Sequence, residues 1–253
     1  MKDVKDLKDE EKGLINNKPN IRIEFDSTKA NSLSWRLWHS INYMIGGITF
    51  YLGSYCYFSF INNVYPNSFI IGAWLYTIGS LCFLLADITE WNHFKYGCTC
   101  NVNYEGEQTF YNTFIRAEVG INFFFSVLGS LMYLIGSIFF IPSLDKLPLG
   151  EFFFIYGSLV IFFSQLWKCL RPHLIHGFKI ENVTEDFSGF LVDLCAGLGG
   201  FSYFYGTVIF RYMENEYDQN IASSWFVTGG TFFTLSGLAM QYRYYLEPNN
   251  KKE

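Results

Sequence analysis

The sequence predicts an all-α membrane protein whose six transmembrane helices form three tandem helical hairpins. Two observations favour this fold class: six long apolar segments, and a pair of glycines at the same spacing in each segment. Half of the 253 residues are apolar and only 16% are charged. A helix of about 20 apolar residues spans a hydrocarbon core of roughly 30 Å. A soluble protein of this length cannot bury six such segments, and the alternation of a membrane barrel is missing.

The apolar segments come in pairs, and each pair is joined by a short turn. They cover residues 40–61, 69–87, 119–141, 147–167, 187–210 and 221–241. The resulting hairpins lie within a transmembrane domain at 35–245 and cover residues 40–91, 119–167 and 187–241. We expect Pro172 to end the second helix of the middle hairpin, because proline interrupts helical hydrogen bonding.

Polar tails flank the predicted transmembrane domain. Residues 1–34 interleave lysines with acidic residues and lack the apolar region of a signal peptide. We expect this segment to be disordered and to offer a surface for a cytoplasmic protein partner. Residues 246–253 form a second polar tail. Trp35 and Trp38 mark the entry into the bilayer, because indole rings settle at the membrane interface.

Lysine and arginine residues predict the orientation of the chain. Of the 18 in the sequence, 16 lie in the terminal segments and the two long connectors, whereas only Lys146 and Arg211 lie in hairpin turns. Since positively charged loops stay on the cytoplasmic side, we expect both termini in the cytoplasm. The pattern is the same for a plasma-membrane protein and an endomembrane protein.

Every predicted span contains two glycines seven residues apart. The pairs are Gly46 and Gly53, Gly72 and Gly79, Gly129 and Gly136, Gly150 and Gly157, Gly199 and Gly206, and Gly230 and Gly237. Seven residues make about two helical turns, so both glycines of a pair lie on nearly the same face. Glycine lets helix backbones approach closely in a bilayer, which predicts helix-packing seams within each hairpin. This interpretation is favoured over a glycine-lined pore.

A short unit recurs around these glycines. In residues 75–83 an aromatic residue precedes a Gly-Ser pair by three positions, and the unit returns in residues 133–140 and 154–159. This aromatic-x-x-Gly-Ser hairpin resembles the YrhK-like family of small membrane domains. The resemblance implies a membrane helical hairpin without an established biochemical activity, and it brings no catalytic residue to this chain.

Ionisable residues inside membrane segments are candidates for function, because a charge in hydrocarbon is costly. A possible intramembrane polar site near the cytoplasmic ends of the spans consists of Asp87, Arg116, Glu118 and Asp193. One interpretation is a path for a solute or a proton. The other is structural pairing of the acids with a basic residue, namely Arg36, Arg116, Lys168 or Arg243.

Cysteine and histidine residues on the cytoplasmic side raise the question of a zinc site. They are His93, Cys98, Cys100, Cys169, His173 and His176. A single residue between two cysteines is tight for structural zinc, so reduced and solvated side chains are favoured. The sequence has no phosphate-binding glycine loop, metalloprotease motif, nucleophile elbow or basic nucleic-acid surface. We therefore predict no catalytic residue, cofactor or metal site, and no nucleic-acid partner.

The sequence favours a non-enzymatic membrane protein, structural or sensory, in contact with the lipid bilayer. The alternative is a small-solute or ion channel or transporter with Asp193 in the path. That alternative predicts that Asn42, Gln165 and Gln241 converge with Asp193 on a cavity. A membrane-embedded enzyme is the third hypothesis, and it would rest on a bound zinc or iron ion.

Overall fold

The computed structural model describes residues 32–94, 110–176 and 187–246, and these residues are helical almost throughout. Seven α-helices follow one another, and no strand occurs within these ranges. They are α1 (Leu33–Tyr55), α2 (Ser59–Val64), α3 (Ser68–Phe94), α4 (Phe110–Phe139), α5 (Leu147–His176), α6 (Phe187–Arg211) and α7 (Glu216–Tyr245).

Four of these helices are long and apolar enough to cross a membrane. The qualifying segments of α3, α4, α5 and α6 are Ser68–Asn92, Gly120–Phe139, Leu147–Arg171 and Phe187–Arg211. The helices α1 and α7 have 23 and 30 residues, but they are less apolar than the other four. The predicted all-α class is therefore confirmed for the described residues, and the predicted membrane character holds for four helices by length and composition.

Capping residues explain where several helices begin. Ser32 caps α1, because its hydroxyl accepts a hydrogen bond from the Trp35 amide at 3.3 Å. At the start of α7, the side chain of Asn215 accepts from the amide of Asp218 at 3.0 Å, and the Asp218 carboxylate complements the helix dipole. A short 3₁₀ turn, Pro142–Leu144, joins α4 to α5.

Several helix ends differ from the ends of the predicted apolar segments: α3 continues to Phe94, α4 begins at Phe110 and α7 begins at Glu216. The helix α1 ends at Tyr55, six residues early, because the chain turns Tyr57 into the interior. The Gln219 side-chain amide donates to the Tyr57 carbonyl at 2.8 Å and satisfies a backbone group at this break. The helix α5 continues through Pro172 to His176, so the predicted end at that proline was wrong. A proline inside a helix removes one hydrogen bond, and the bonds on either side keep this helix continuous.

The six long helices form a closed ring. Each packs mainly against the helices before and after it in the order α1, α3, α4, α5, α6 and α7, and α7 packs back against α1. The start of α1 meets the end of α7, where Arg36 Nη1 donates to the Tyr244 carbonyl at 3.2 Å. His39 Nδ1 lies 2.9 Å from the Tyr244 hydroxyl oxygen. We refer to this side of the ring as the terminal end and to the opposite side as the turn end.

Aromatic side chains fill the axis of the ring. They are Phe50, Tyr57, Tyr76, Tyr133, Phe140, Phe154, Tyr203, Phe210, Phe226 and Phe233, and they are called the aromatic plug below. None of these side chains is more than 4% exposed. Ring centroids lie 4.9 Å apart for Phe50 and Tyr76 and 5.2 Å apart for Phe50 and Tyr203, so the rings contact one another across the axis.

The plug is built from one repeated position. Five helices contribute a fully buried aromatic residue three positions before a glycine that a hydroxyl residue follows: Phe50, Tyr76, Tyr133, Phe154 and Tyr203. The hydroxyl residue after that glycine is also buried, and several of these hydroxyls bond to other helices, either adjacent or across the axis. The oxygen pairs are Ser80 with Ser137 at 2.9 Å, Tyr133 with Ser158 at 2.8 Å, and Ser54 with Tyr203 at 2.9 Å.

Glycines leave space for these aromatic rings and for neighbouring backbone. A Cβ placed on Gly136 would lie 2.6 Å from the Phe154 ring and 3.1 Å from the Gly150 carbonyl oxygen. A Cβ on Gly129 would lie 3.3 Å from the Gly157 carbonyl oxygen, one seven-residue step along the same two helices. The glycines of α1, α3 and α6 mostly face aromatic rings of the adjacent helix instead of its backbone.

The last helix departs from the expected glycine pairing. The glycine of α7 that faces α6 is Gly229, whose Cβ position lies 2.6 Å from the Tyr203 ring and 3.1 Å from the Gly199 carbonyl oxygen. Gly230 and Gly237 instead face α1, where they lie against Tyr51 and Met44. The predicted pair therefore lies at the contact that closes the ring, because adjacent helix residues point to different neighbours.

We expect Gly230→Ala to destabilise the bundle by about 1–3 kcal/mol, since overpacking at a close contact has costs of this order. The added Cβ would lie 2.5 Å from the Cα of Tyr51, a backbone atom that cannot rotate away. Gly237→Ala is the matched control, because its Cβ would lie 3.3 Å from the Cα of Met44 and alanine favours the helix. Thermal unfolding of both variants in detergent measures the difference. Equal midpoints would contradict a close contact between α7 and α1.

Candidate functional site

Charged side chains inside the bundle gather at its terminal end. Lys168 Nζ of α5 lies 3.2 Å from Glu90 Oε2 of α3, and Arg171 of α5 pairs with Glu118 of α4. Together with two further acids these residues form the charged cluster, which consists of Asp87, Glu90, Glu118, Lys168, Arg171 and Asp193. A third ion pair of the described residues, between Arg211 and Glu151 at 3.4 Å, lies at the turn end.

Asp87 lies directly beyond the aromatic plug. It follows Phe83 by one helical turn, and the Phe83 ring lies 5.1 Å from the ring of Phe233. The carboxylate of Asp87 accepts a hydrogen bond from the Ser130 hydroxyl of α4. Both side chains are buried, and a buried carboxylate requires such a donor because it has left bulk water. This bond joins the charged cluster to the core.

Glu118 binds two donors from α5. The indole Nε1 of Trp167 donates to Oε2 at 2.7 Å, and the guanidinium Nε of Arg171 donates to Oε1. The Glu118 side chain is 4% exposed, whereas that of Arg171 is 29% exposed. The carboxylate therefore lies inside the helix contact and draws two side chains of α5 towards α4. This arrangement links α4 and α5 through an ion pair near the terminal end of the ring.

Lys168 connects three helices. Its ammonium group binds Glu90 of α3, lies 4.4 Å from the ring centroid of Phe123 of α4, and is close enough to Asp193 of α6 to interact with it electrostatically. Glu90 was not among the acids predicted to matter, although Lys168 was among the predicted partners. Asp193 is half-buried. The cluster thus spans four neighbouring helices, α3 to α6.

The structure brings three of the four predicted polar residues to one end of the ring. Asp87, Glu118 and Asp193 all belong to the charged cluster. The side chain of Arg116, the fourth, lies outside the described residues. Among the other predicted partners, Arg36 bonds to the Tyr244 carbonyl. Arg171, which holds Glu118, was missed by sequence reasoning.

The glycine spacing contained a signal for the missed partner. Gly136 faces Gly150 and Gly129 faces Gly157, so the residue numbers of facing positions in α4 and α5 add to 286. The same register places residue 118 opposite residue 168. The basic residues at 168 and 171 therefore lie within about one helical turn of the level of Glu118. The packing register of two helices can thus be extended from their glycines to their charged ends.

The residues expected to converge on a transport cavity have different surroundings. Asn42 Nδ2 donates to the Trp38 carbonyl of its own helix at 2.8 Å, and Gln241 is half-buried near the end of α7. Gln165 is 6% exposed, and its Oε1 has no hydrogen-bond partner among the described residues. An unpaired buried polar atom is costly, and Gln165 shares this feature with the Tyr57 hydroxyl among the described residues.

The described residues contain no candidate metal site. Among them, no group of three or more histidine, cysteine, aspartate or glutamate side chains is arranged to hold a metal ion. Cys169 and Cys195 are buried free thiols. Of the zinc candidates considered from the sequence, the side chains of His93, His173 and His176, together with Cys98 and Cys100, lie outside the described residues.

Comparison with known proteins identifies one part of the chain. Residues 34–102 match the family model described as YrhK-like protein. The match begins within α1, contains α2 and α3, and includes residues 75–83, the first of the three units on which the resemblance was based. The units in residues 133–140 and 154–159 lie outside it. No curated protein and no solved structure matches the chain. The YrhK-like resemblance is therefore confirmed for residues 34–102, and it assigns no site residue.

We expect Glu118→Gln to destabilise the protein by about 1–3 kcal/mol, because it leaves the Arg171 charge without its counter-ion at a partly buried position. Adding Arg171→Met to this variant should recover part of the loss, since the unpaired charge is then gone. Thermal unfolding of the two single variants and the double variant forms the required cycle. Strictly additive effects would contradict an energetic coupling between the two side chains.

Proposed function

We propose that the chain is a six-span integral membrane protein without catalytic activity, in a structural or sensory role. The observation that carries this proposal is the aromatic plug, whose side chains are at most 4% exposed and contact one another across the axis of the ring. A bundle filled in this way is suited to a stable membrane scaffold, because it leaves the charged cluster accessible from one end only.

The lipid-facing surfaces of α1 and α7 support a membrane location for these two less apolar helices. In α1 the exposed residues include Ile41, Ile45, Ile48 and Leu52, which follow one face of the helix. In α7 the exposed residues include Leu235 and Leu238. In α7 the buried Ser223 and Ser236 lie in helix contacts, whereas the hydroxyls of the exposed Ser224, Thr228 and Thr231 donate to carbonyls one turn earlier in the same helix. Both helices also close the ring with the four apolar ones.

The glycine spacing supports three tandem hairpins with Gly-x6-Gly seams. Helices in hydrocarbon associate through close backbone and side-chain contact, and glycine permits that contact. The α4–α5 pair offers the best support, because the Cβ positions of Gly129 and Gly136 lie within 3.3 Å of the facing glycine carbonyl oxygens. In the other pairs, aromatic rings occupy the notches that glycine leaves. We propose that the two helices of each hairpin pack against each other first, and that the hairpins then pack against one another.

The charge distribution supports cytoplasmic termini. Sixteen of the 18 basic residues lie in the tails, the long connectors or the helix ends that adjoin them, all on the side of the terminal end of the ring. The tail at residues 1–34, with its interleaved charges, is then available to a cytoplasmic protein partner. A sensory role would use the charged cluster at the same side of the membrane.

We expect liposomes containing the purified full chain to take up potassium ions and protons no faster than protein-free liposomes, because the aromatic plug fills the axis. Fluorescent indicators inside the liposomes measure both fluxes. An ionophore added at the end of each trace provides the positive control. Uptake that rises with the amount of inserted protein would contradict a sealed structural or sensory bundle.

A channel or transporter remains the second candidate because of one specific observation. Gln165, with its unpartnered Oε1, lies beside Gly197 of α6, one helical turn from Asp193 on the same helix. A buried acceptor near an acid is a feature of solute and proton paths.

If protein-dependent flux occurs, we expect Asp193→Asn to reduce it at least about tenfold, as the loss of an essential charge would. Flux that this variant leaves unchanged would exclude a path gated by Asp193.

A further inference from the structure

The outer surface of the ring carries a groove between α4 and α5. Its volume is about 380 Å³, and its walls include Phe125, Tyr156, Val160, Phe163 and Trp167. Phe125 and Phe163 form its rim and are 45% and 60% exposed. The groove therefore opens away from the plug, towards the surface that would face lipid.

The groove has a polar end and an apolar end. Asn122 lines it two residues after the start of the apolar segment Gly120–Phe139, about 3 Å along the helix axis. On the facing helix the lining residues run from Trp167 back to Tyr156, about 16 Å towards the middle of the segment. The polar end therefore lies at the depth of the membrane interface, and the apolar end lies within the hydrocarbon.

Asn122 leaves one donor for a ligand. It is 9% exposed, and its Oδ1 accepts a hydrogen bond from Ser164 at 3.1 Å. Its Nδ2 has no hydrogen-bond partner among the described residues, although it lies at the base of an apolar groove. A donor in such surroundings requires an acceptor, because leaving it unpaired is costly.

Arg171 provides charge beyond the polar end. It lies one helical turn after Trp167 and is 29% exposed. Its Nε donates to Glu118, and the guanidinium carries two further nitrogens that can donate. Guanidinium nitrogens bind phosphate oxygens strongly and in a planar geometry.

We propose that this groove binds one glycerophospholipid molecule, in an inference that rests on the proposed membrane location. One acyl chain lies along Phe125, Tyr156 and Phe163, and an ester carbonyl accepts the hydrogen bond from Asn122 Nδ2. The phosphate lies against Arg171. The phosphate, the ester carbonyl and the acyl chain of such a lipid follow one another in depth. Arg171, Asn122 and the apolar residues of the groove follow one another in the same order. Neither a sterol nor an apolar helix of a second copy offers a phosphate to the Arg171 guanidinium.

The test begins with the location on which the inference rests. Membranes that contain the full chain are washed at alkaline pH, which removes peripheral proteins and leaves integral ones in place. Release of the chain by this wash would overturn the proposed function together with the lipid site. Retention lets the lipid site be tested separately on purified protein.

The lipid site is measured by fluorescence quenching in detergent. Phosphatidylcholine with a brominated acyl chain is added at a roughly equimolar ratio, at which little lipid surrounds the micelle at random. We expect quenching of tryptophan emission in the wild type, because Trp167 lines the groove. Val160→Phe fills the groove and should abolish the quenching. Ile71→Phe, at an exposed position of α3, is the matched control and should retain it.

A separate variant tests the polar end of the groove. Asn122→Leu keeps the size of the side chain but removes the Nδ2 donor together with the Oδ1 acceptor of Ser164, whose hydroxyl keeps the backbone carbonyl of residue 122 at 3.2 Å as an acceptor. We expect the brominated lipid to bind about fivefold more weakly, as for one hydrogen bond in a membrane. Equal melting midpoints for Val160→Phe, Ile71→Phe and wild type ensure that the loss of quenching is local. Equal quenching in Val160→Phe and Ile71→Phe, or none in the wild type, would overturn the lipid site while the proposed function stands.

Discussion

Helices surrounded by hydrocarbon gain almost nothing by burying apolar surface against one another, because lipid chains solvate that surface equally well. Their association depends on closeness of fit. In this ring, an aromatic side chain of one helix occupies the notch that a glycine leaves in the next. The Tyr203 ring lies 2.6 Å from the Cβ position of Gly229, and the Phe226 ring lies 2.8 Å from that of Gly206. Even a methyl group at these glycines would displace a ring. The dispersion contacts across the seams therefore depend on the lack of a side chain at these positions.

The same fit separates the interior into two regions. Aromatic rings fill the axis through its middle and its turn end, whereas the terminal end contains Asp87, Glu118 and Lys168 with their partners. Hydroxyl groups lie between the two regions, as in the bond from Ser130 to Asp87. Charge in such a bundle is paired close to the interface, where side chains can reach water, and it does not extend along the axis. The described residues thus concentrate their buried charge at the terminal end, while the turn end contains the pair of Arg211 and Glu151.

Much of this arrangement is encoded in local sequence patterns. Apolar length predicts α3 to α6, and the aromatic-x-x-Gly-Ser unit marks the residues that form the plug. The register of the facing glycines in α4 and α5 also predicts which basic residues lie at the same height as Glu118. The inward turn at Tyr57 is different, because the apolar run continues beyond the end of α1. That break is stabilised by Gln219, which lies 162 positions away in the sequence and follows no local pattern.

The sequence by itself determined the helical class, the positions of the apolar helices, the spacing of their small residues and the bias of their charges. These properties depend on composition and on a period of 3.6 residues, which are local. Only the tertiary structure decided which neighbour each helix face meets. Successive residues differ by about 100° around a helix axis, so Gly229 faces α6 whereas Gly230 faces α1. Ring closure fixes that rotation for all six helices together, and with it the ion-pair partners and the outer groove.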